Sequence, residues 1–330
     1  MKKVSIYRPT SVNEAMQILT EHGTSAAVYA GGTDLLIRLK NRLEQAPSYL
    51  VDIKKIDNLR YIKEDAQGGV EIGAATKLAE LADSALLQNR YPMLVEAINK
   101  ISSPELRNAS TLGGDLLQEV WCQYLRGGYS CWRNGGYMCY GAIGDNSYYH
   151  SAMGGRLCYA VYPGDAATAL IPFDARAKLA TPQGVKELSI ERLVPGDMMV
   201  DGRIQSHVVR FNEILTSVVI PAPKANLRAS FEKLRPRGVW DFAMASLALA
   251  VQTRDGKVID DSRVVFGGIS GKPYRETAVE AFLKGKTLSA ELGEQAVAVA
   301  LTGAAPLKYN ATKVDMAKGL LMSGLARVSA

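Results

Sequence analysis

Two short Gly-Gly turns constrain the fold of this chain more than any other feature. The first lies in "AGGTDLL" at residues 30–36, after the apolar run "AAVY", and the second lies in "STLGGDLL" at residues 110–117. A Gly-Gly pair allows left-handed backbone conformations and removes side chains, so consecutive N–H groups can approach an anion such as a pyrophosphate. A helix that begins at such a turn adds a favourable dipole.

Neither turn matches the G-x-G-x-x-G motif of a Rossmann unit. The stretch "GGISGKP" at residues 267–273 only imitates a P-loop, because its glycine spacing is wrong and Pro273 follows the lysine. A nucleoside triphosphatase is therefore disfavoured. Most isolated Gly-Gly pairs are simple tight turns, but two turns of the same form, Gly-Gly-(Thr)-Asp-Leu-Leu, are a stronger indication of an anion site.

The residues around the first turn predict a small α/β unit. Ser11 and Glu14 have capping-box spacing ahead of helical apolar positions, and Gly23 ends that helix. A strand through Val28 precedes the turn, Asp34 is expected to cap a second helix, and "SYLVDI" reads as a strand. A second α/β unit is predicted from the strand "VEIGA", a helix from residue 77 and a helix through "MLVEAINKI".

The C-terminal part reads as a separate α+β unit. The strand "SVVIP" leads to Pro221 and Pro223, which mark a domain boundary. Strands around "ASLALAVQT" and "RVVFGGI", joined by Asp255-Gly256, precede three helical segments. The sequence therefore predicts domains 1–222 and 223–330, the first with lobes of about 1–56 and 57–222.

Composition limits the class of protein. The 330 residues are 47% hydrophobic, enough to fill two or three packed units. The N-terminus has no apolar core of signal-peptide length and no later segment is long enough to span a bilayer, so a cytoplasmic protein with no membrane span is expected. The net charge is +6, but the basic residues are scattered among acids, which disfavours a nucleic-acid partner.

The four cysteines, Cys122, Cys131, Cys139 and Cys158, all lie within residues 119–162. This segment also holds eight of the fifteen tyrosines and shows no helical or strand period. It lacks the aliphatic residues of a core and needs another form of cross-linking. The spacing Cys-x8-Cys-x7-Cys-x18-Cys suits zinc or a 4Fe-4S cluster, and buried structural cysteines are the third alternative.

Several ordered motifs resemble one known family over essentially the whole chain. "AGGTDLL", "TLGGDLLQ", "YPGDAATAL", "FEKLRPRGVWDFAMASLA" and "VVFGGISGKPYR" resemble the FAD-binding medium subunit of the xanthine dehydrogenase and carbon monoxide dehydrogenase family. The resemblance implies an α+β fold. It comprises a two-lobed FAD-binding domain of the vanillyl-alcohol-oxidase (PCMH) type and a C-terminal α+β domain of the CO dehydrogenase flavoprotein type.

The resemblance also implies which residues hold FAD. One side of the pyrophosphate would be lined by Ala30, Gly31, Gly32, Thr33, Asp34 and Leu35, and the other by Thr111, Gly113 and Gly114. Asp165 matches an acid on the adenosine side, and Lys233 matches a lysine near the flavin; the alternatives are a helix N-cap and a solvated strand lysine. Asp115 stands where the family commonly has Asn and would repel a pyrophosphate unless it points elsewhere, which makes it a weak site candidate.

The cysteine segment resembles a loop of one subgroup of the family. This subgroup, typified by the flavin subunit of 4-hydroxybenzoyl-CoA reductase and including some bacterial aldehyde oxidoreductases, carries a 4Fe-4S cluster between the "LGG" and "GD" motifs. The resemblance implies a cysteine-rich loop insertion at about residues 119–162, with Cys122, Cys131, Cys139 and Cys158 as ligands. Trp121, Trp132 and the tyrosines are then expected to shield the cluster from water.

The resemblance implies an electron-transfer subunit of a heterotrimeric molybdenum-dependent oxidoreductase. The expected partners are a molybdopterin-containing large subunit and a small 2Fe-2S subunit, in a dimer of heterotrimers, with an external carrier such as ferredoxin. One alternative is a stand-alone flavin dehydrogenase, which needs its own catalytic base; His22, His150 and His207 are dispersed in sequence. The other is a flavin subunit whose loop holds a structural zinc.

Overall fold

The computed structural model describes residues 3–42, 46–289 and 291–330. The strands are β1 (Ser5–Tyr7), β2 (Ala26–Tyr29), β3 (Tyr49–Asp52), β4 (Ile62–Glu64), β5 (Val70–Gly73), β6 (Arg176–Thr181), β7 (Gly184–Ser189), β8 (Met198–Val200), β9 (Arg203–Gln205), β10 (Ile214–Ile220), β11 (Leu227–Leu234), β12 (Ala245–Arg254), β13 (Val258–Gly267) and β14 (Tyr274–Arg275). The helices are α1 (Val12–His22), α2 (Leu35–Lys40), α3 (Leu78–Asp83), α4 (Ala85–Arg90), α5 (Pro92–Asn99), α6 (Pro104–Arg107), α7 (Leu112–Leu116), α8 (Gln123–Arg126), α9 (Tyr140–Ile143), α10 (Asp165–Leu170), α11 (Ile190–Leu193), α12 (Thr277–Leu283), α13 (Leu292–Ala296) and α14 (Thr312–Ser329).

The N-terminal unit is a parallel sheet in the order β1-β3-β2, with α1 packed against β2 and β3. The predicted helix start is confirmed, because Ser11 Oγ accepts a hydrogen bond from the Glu14 amide at 3.2 Å and Gly23 ends the helix at φ +55°. The return bond of the capping box is displaced by one residue. The Glu14 carboxylate accepts from the amide of Thr10 rather than from that of Ser11.

A five-stranded antiparallel sheet, in the order β4-β5-β10-β6-β7, forms the second unit. The predicted strands "VEIGA" and "SVVIP" are confirmed as β5 and β10, the second of which begins three residues earlier than predicted. Helices α3, α5 and α10 share one apolar core with this sheet, and every residue of α10 is buried.

The C-terminal sheet, in the order β11-β12-β13-β14, has a core on each face. Leu247 and Leu249 of β12 face the core formed with α12 and α14, whereas Ala248 between them faces the core that contains α5 and α10. Because successive side chains of a strand point to opposite faces, a strand that is buried on both sides reads as a continuous apolar run, as "ASLALAV" does. The predicted α+β unit, with three helices after its strands, is confirmed.

A tight turn at Asp255-Gly256 joins β12 and β13, as predicted. Both residues have positive φ, +51° and +71°. Two consecutive left-handed residues match the right-handed twist of the flanking strands, which is why Asp-Gly is favoured there.

Residues 119–162 form only two four-residue helices, α8 and α9, as the absence of periodicity predicts. Contacts to the C-terminal unit hold this segment in place. The Asn310 side chain donates to the carbonyls of His150 and Ser151, and the Ile269 carbonyl accepts from the Ala152 amide at 2.9 Å. In the part of the chain that the structure describes, no helix is both long and apolar enough to cross a bilayer.

Candidate functional site

A cleft of about 280 Å³ opens between the two glycine turns. It brings together most of the residues that the sequence nominated for FAD binding. The first turn and the start of α2 contribute Ala30, Gly31, Gly32, Thr33, Asp34 and Leu35, and the second turn contributes Thr111, Gly113 and Gly114. The two turns therefore line one cavity.

The glycines are required where the two turns meet. A Cβ on Gly31 would overlap the carbonyl oxygen of Ala109, a backbone atom that no side-chain rotation can move away. Gly32 has φ +73°, a conformation that side chains disfavour. A hydrogen bond of 3.0 Å between the hydroxyls of Thr33 and Ser110 joins the turns directly.

Asp34 does not cap α2, so that prediction is wrong. The residue itself has helical dihedrals, φ −97° and ψ −52°, and its side chain makes no capping bond. Its carboxylate instead accepts from Arg126 Nη2 at 2.6 Å and from the Glu119 amide at 3.2 Å. Asp34 thus ties the first glycine turn to the start of the cysteine segment.

A third wall of the cleft was missed by the sequence analysis. It consists of the hairpin β8–β9 and the chain that follows, and it contributes Arg203, His207 and Arg210. Asp201-Gly202 between short apolar runs was the available signal for this hairpin. Burial lowers the pKa of His207 to about 4, so this imidazole is neutral near pH 7.

Asp165 and Lys233 lie elsewhere. They form an ion pair of 2.6 Å, with side chains 5% and 1% exposed, and neither is among the described residues that line the cleft. Lys233 Nζ also donates to the Lys100 carbonyl at 3.0 Å. The two alternatives, a helix N-cap and a solvated lysine, are wrong, because Gly164 occupies the N-cap of α10 and Lys233 is buried. The contacts to FAD that the resemblance implies for Asp165 and Lys233 stay a prediction.

Asp115 is buried and does not line the cleft. Its carboxylate accepts from the Ala166 amide at 3.1 Å and from Gln118 Nε2 at 2.8 Å. Burial and the nearby charge of Asp165 raise the pKa of Asp115 to about 7. The acid therefore points away from the position where it would repel a pyrophosphate.

The four cysteines line one small cavity, of about 10 Å³. A hydrogen bond between Cys139 and Cys158 lowers the pKa of Cys139 and raises that of Cys158. Cys122 Sγ lies 3.4 Å from His150 Nε2. Within residues 3–42, 46–289 and 291–330, no three His, Cys, Asp or Glu side chains converge closely enough to hold a single metal ion.

Only part of the aromatic residues of the segment surround the cysteines. Trp132, Tyr124 and Tyr140 line the cysteine cavity. Trp121 instead contacts Phe242, with 5.3 Å between the ring centroids, and Arg126, whose Cζ lies 4.6 Å from the Trp121 ring centroid.

The three histidines lie in three separate environments. His22 stacks on Tyr49 at 3.9 Å, His150 lies beside Cys122, and His207 lines the cleft. The structure thus brings one histidine to each candidate site and does not assemble them.

Two family models match this chain and together cover nearly all of it. The first, described as the FAD binding domain in molybdopterin dehydrogenase, matches residues 2–223. The second, described as the CO dehydrogenase flavoprotein C-terminal domain, matches residues 229–327.

Individual proteins agree with these models. The chain is 31% identical to the aldehyde oxidoreductase FAD-binding subunit PaoB of Escherichia coli K12, covering 92% of each. It is 28% identical to the carbon monoxide dehydrogenase medium chain of Hydrogenophaga pseudoflava, covering 89% of this chain and 85% of that one. A solved structure of the Hydrogenophaga pseudoflava carbon monoxide dehydrogenase superposes with a TM-score of 0.77 at 25% identity, covering 98% of this chain and 96% of the other. The chain therefore belongs to the family of FAD-binding medium subunits of molybdenum hydroxylases and is an oxidoreductase flavoprotein subunit.

Proposed function

We propose that this chain is the electron-transfer subunit of a heterotrimeric molybdenum-dependent oxidoreductase, with FAD in the cleft and a 4Fe-4S cluster on the four cysteines. The observation that carries the proposal is that two glycine turns line one cleft while four cysteines line a second cavity nearby. Residues 1–222 would form the FAD-binding domain, with lobes of about 1–56 and 57–222 and the cluster loop at about 119–162. Residues 223–330 would form the C-terminal domain.

The glycine turns would hold the pyrophosphate of FAD. Gly31 and Gly32 carry no side chains, so the backbone N–H groups of the first turn can approach a diphosphate. At the second turn the amides of Gly113 and Gly114 already donate to the Ala74 carbonyl at 2.8 Å and to Thr111 Oγ1 at 3.2 Å, so this turn would contribute close backbone approach and the positive end of α7 rather than these two N–H groups. Thr33 and Thr111 add hydroxyls at the same wall. When bound, FAD supplies electron exchange in pairs or one at a time, which joins two-electron chemistry to one-electron carriers.

Cys122, Cys131, Cys139 and Cys158 would ligate the cluster, which supplies one-electron exchange when bound. The donor set fits, because four thiols with no carboxylate among them are the ligands of a 4Fe-4S cluster. Cys139 and Cys158 already touch, and the cavity holds little more than one water molecule, so the loops must move apart to admit the cluster. That movement would change turn hydrogen bonds at the cysteines themselves, such as those from the Asn134 and Gly136 amides to the Cys131 carbonyl, both 2.8 Å.

Two alternatives use the same cleft or the same thiols. A structural zinc would also need the four thiols to rearrange, to sulfur atoms about 3.8 Å apart from Zn–S bonds of about 2.3 Å, so the resemblance of the segment to a 4Fe-4S loop is what favours the cluster. A stand-alone dehydrogenase needs a base with a pKa near the working pH. His207 lines the cleft, but burial holds its pKa at about 4, and its Nδ1 lies 3.2 Å from Gln205 Nε2.

The partners would be a molybdopterin-containing large subunit and a small 2Fe-2S subunit, in a dimer of heterotrimers. Likeness to subunits of aldehyde oxidoreductase and carbon monoxide dehydrogenase supports this assembly. The substrate would be transformed on the large subunit, in a dehydroxylation like that of hydroxybenzoyl-CoA reductase or in the hydroxylation of an aldehyde or aromatic compound.

An external carrier such as ferredoxin would meet this chain at the cysteine segment. Tyr137 and Ile143, 85% and 71% exposed, lie in the segment that forms the cysteine cavity. The same segment also exposes Tyr129, Met138, Tyr148 and Leu157, and a concentration of exposed apolar side chains, unlike a single one, is typical of a surface that contacts another protein.

Anaerobic purification followed by metal, sulfide and flavin analysis tests the assignment. We expect one FAD and about four irons and four sulfides per chain. Cys131→Ala should lose iron and retain FAD, whereas Ser130→Ala, an exposed neighbour, should retain both. One zinc with no iron would refute the cluster, and protein free of flavin would refute the cleft.

Mass analysis of the native complex tests the partners separately. We expect this chain to co-purify with two others, at a mass that fits two copies of each. A complex that contains this chain alone and is fully active on a reduced substrate would refute the assembly.

A further inference from the structure

Arg133 lies between the cysteine cavity and the cleft. Its side chain is 2% exposed, and its Nε donates to Cys158 Sγ at 3.4 Å. Its Nη1 donates to Glu119 Oε2 at 2.8 Å, and Nη2 donates to the Asp197 carboxylate. The remaining acceptors are the Ile204 carbonyl at 3.3 Å and Ser206 Oγ at 3.2 Å.

Two acceptors of Arg133 belong to the wall of the cleft. Glu119 and Ile204 both line it, and the Glu119 amide donates to Asp34 of the first glycine turn at 3.2 Å. One guanidinium therefore touches a cysteine sulfur on one edge and cleft residues on the other.

Arg133 keeps its charge in this setting. A guanidinium stays protonated in proteins, and the carboxylates of Glu119 and Asp197 both accept hydrogen bonds from it. A permanent cation thus lies against Cys158 with its position fixed by two acids.

We infer that Arg133 is a positioning residue that raises the reduction potential of the cluster through its N–H···S bond to Cys158 and links the cluster electrostatically to Glu119 in the cleft. The inference rests on the proposed function, because it assumes a cluster on the four cysteines. Reduction adds one electron to the cluster and makes no bond, so its negative charge grows. Hydrogen bonds to the sulfurs and a nearby cation stabilise the more negative form and raise the potential.

Few other hydrogen-bond donors reach Cys158 Sγ and could raise the reduction potential. Its Sγ also accepts from the Ala160 amide at 3.4 Å, a neutral backbone group. Arg156 lies only two residues away in sequence but is exposed to solvent, where water screens its charge. Arg156 is therefore a matched control for the loss of one positive charge in the same segment.

Redox titration of the full complex with dithionite, followed by electron paramagnetic resonance, tests the inference. Dithionite supplies one electron to each cluster. In Arg133→Gln we expect the ratio of reduced to oxidised cluster at a fixed potential to fall at least about tenfold, which is about 59 mV for one electron. In Arg156→Gln we expect a change of less than about twofold, because the charge it removes is already screened by water.

The signal reports only chains that carry a cluster, so a loss of iron alone does not mimic the effect. A purely structural role would lower iron content and leave the potential of the loaded clusters unchanged, which would overturn the inference and leave the cluster assignment intact. Absence of iron from the unsubstituted protein would overturn both.

If Arg133→Gln does not fold, the reduction potential of the cluster in Glu119→Gln tests the inference instead. This change keeps the N–H···S bond and removes one of the negative charges that compensate Arg133, so the reduced-to-oxidised ratio should rise. An unchanged ratio in Glu119→Gln would contradict the link between the cluster and the cleft.

Discussion

The hydroxyls of Thr33 and Ser110 lie 3.0 Å apart, one beside the first glycine turn and the other just ahead of the second. This bond joins residues 77 positions apart in the sequence. It holds the two turns together at the cleft where we propose that FAD binds. The repeated Gly-Gly form thus corresponds to two halves of one site.

Replacing Gly31 by Ala should abolish tight FAD binding. Its Cβ would overlap the Ala109 carbonyl, so the two turns would have to separate. We expect the dissociation constant for FAD to rise at least about tenfold, or about 1.4 kcal/mol. Fluorimetric titration of flavin-depleted protein measures it. Gly319→Ala is the matched control, because nothing lies within 4 Å of its added Cβ, and full FAD affinity in Gly31→Ala would contradict the proposed site.

The features that sequence predicts correctly here are local or repeated. The start of α1 follows from Ser11 and its spacing to Glu14, and the β12–β13 turn follows from Asp255-Gly256, because in both cases adjacent residues supply the hydrogen bonds or dihedrals that define the structure. The clustering of the cysteines in one segment similarly anticipates a shared cavity.

The features that it misses depend on long-range packing. Asp34 has the residue type of a helix cap, but the approach of Arg126, 92 residues later, gives its carboxylate a stronger partner. Asp165 meets Lys233 only because α10 packs beneath the C-terminal sheet. Arg133 reaches both Cys158 and Glu119 through side-chain length and fold, and neither leaves a pattern in the sequence.

The Asp165–Lys233 pair should be a structural element. Removing one member leaves the other charge buried without its partner, so Lys233→Met should lower the free energy of unfolding by roughly 3–5 kcal/mol. The double change Asp165→Leu with Lys233→Met should cost less than Lys233→Met alone, since apolar pairs often replace buried ion pairs without loss. Urea unfolding of the two single variants and the double variant measures these losses. If the double variant lost as much free energy of unfolding as Asp165→Leu and Lys233→Met lose in sum, the pair would not be coupled.

Asp115→Asn should stabilise the protein in a pH-dependent way. The folded pKa of Asp115, about 7, is above its ordinary value of 3.8, so between these values the folded state holds more protons and stability falls as pH rises. Relative to the wild type, the free energy of unfolding of Asp115→Asn should increase on the order of 3 kcal/mol between pH 4 and pH 7 and change little above pH 7. Denaturant unfolding across this range tests it. Asp57→Asn, at an exposed site, controls for the loss of one charge, and an Asp115→Asn difference that does not vary with pH would contradict the prediction.

Lys313 should make the protein more stable as the pH rises. Its side chain in α14 is fully buried, and Nζ donates to the carbonyls of Tyr148 and His150 at 2.6 and 3.1 Å. Burial lowers its pKa from 10.5 to about 7. Between these values the unfolded state holds the extra proton, so the free energy of unfolding must increase with pH.

Comparison of the wild type with Lys313→Met isolates this effect, because the other titrating groups largely cancel in the difference. Between pH 7 and pH 9.5, the free energy of unfolding of the wild type should increase on the order of 3 kcal/mol relative to that of Lys313→Met. Lys318→Met, on the same helix but only partly buried, is the control. Denaturant unfolding at several pH values gives both differences. A Lys313→Met difference that stays constant across this range would mean that the buried amine keeps its proton, held by the two carbonyls that fasten the cysteine segment to the C-terminal helix.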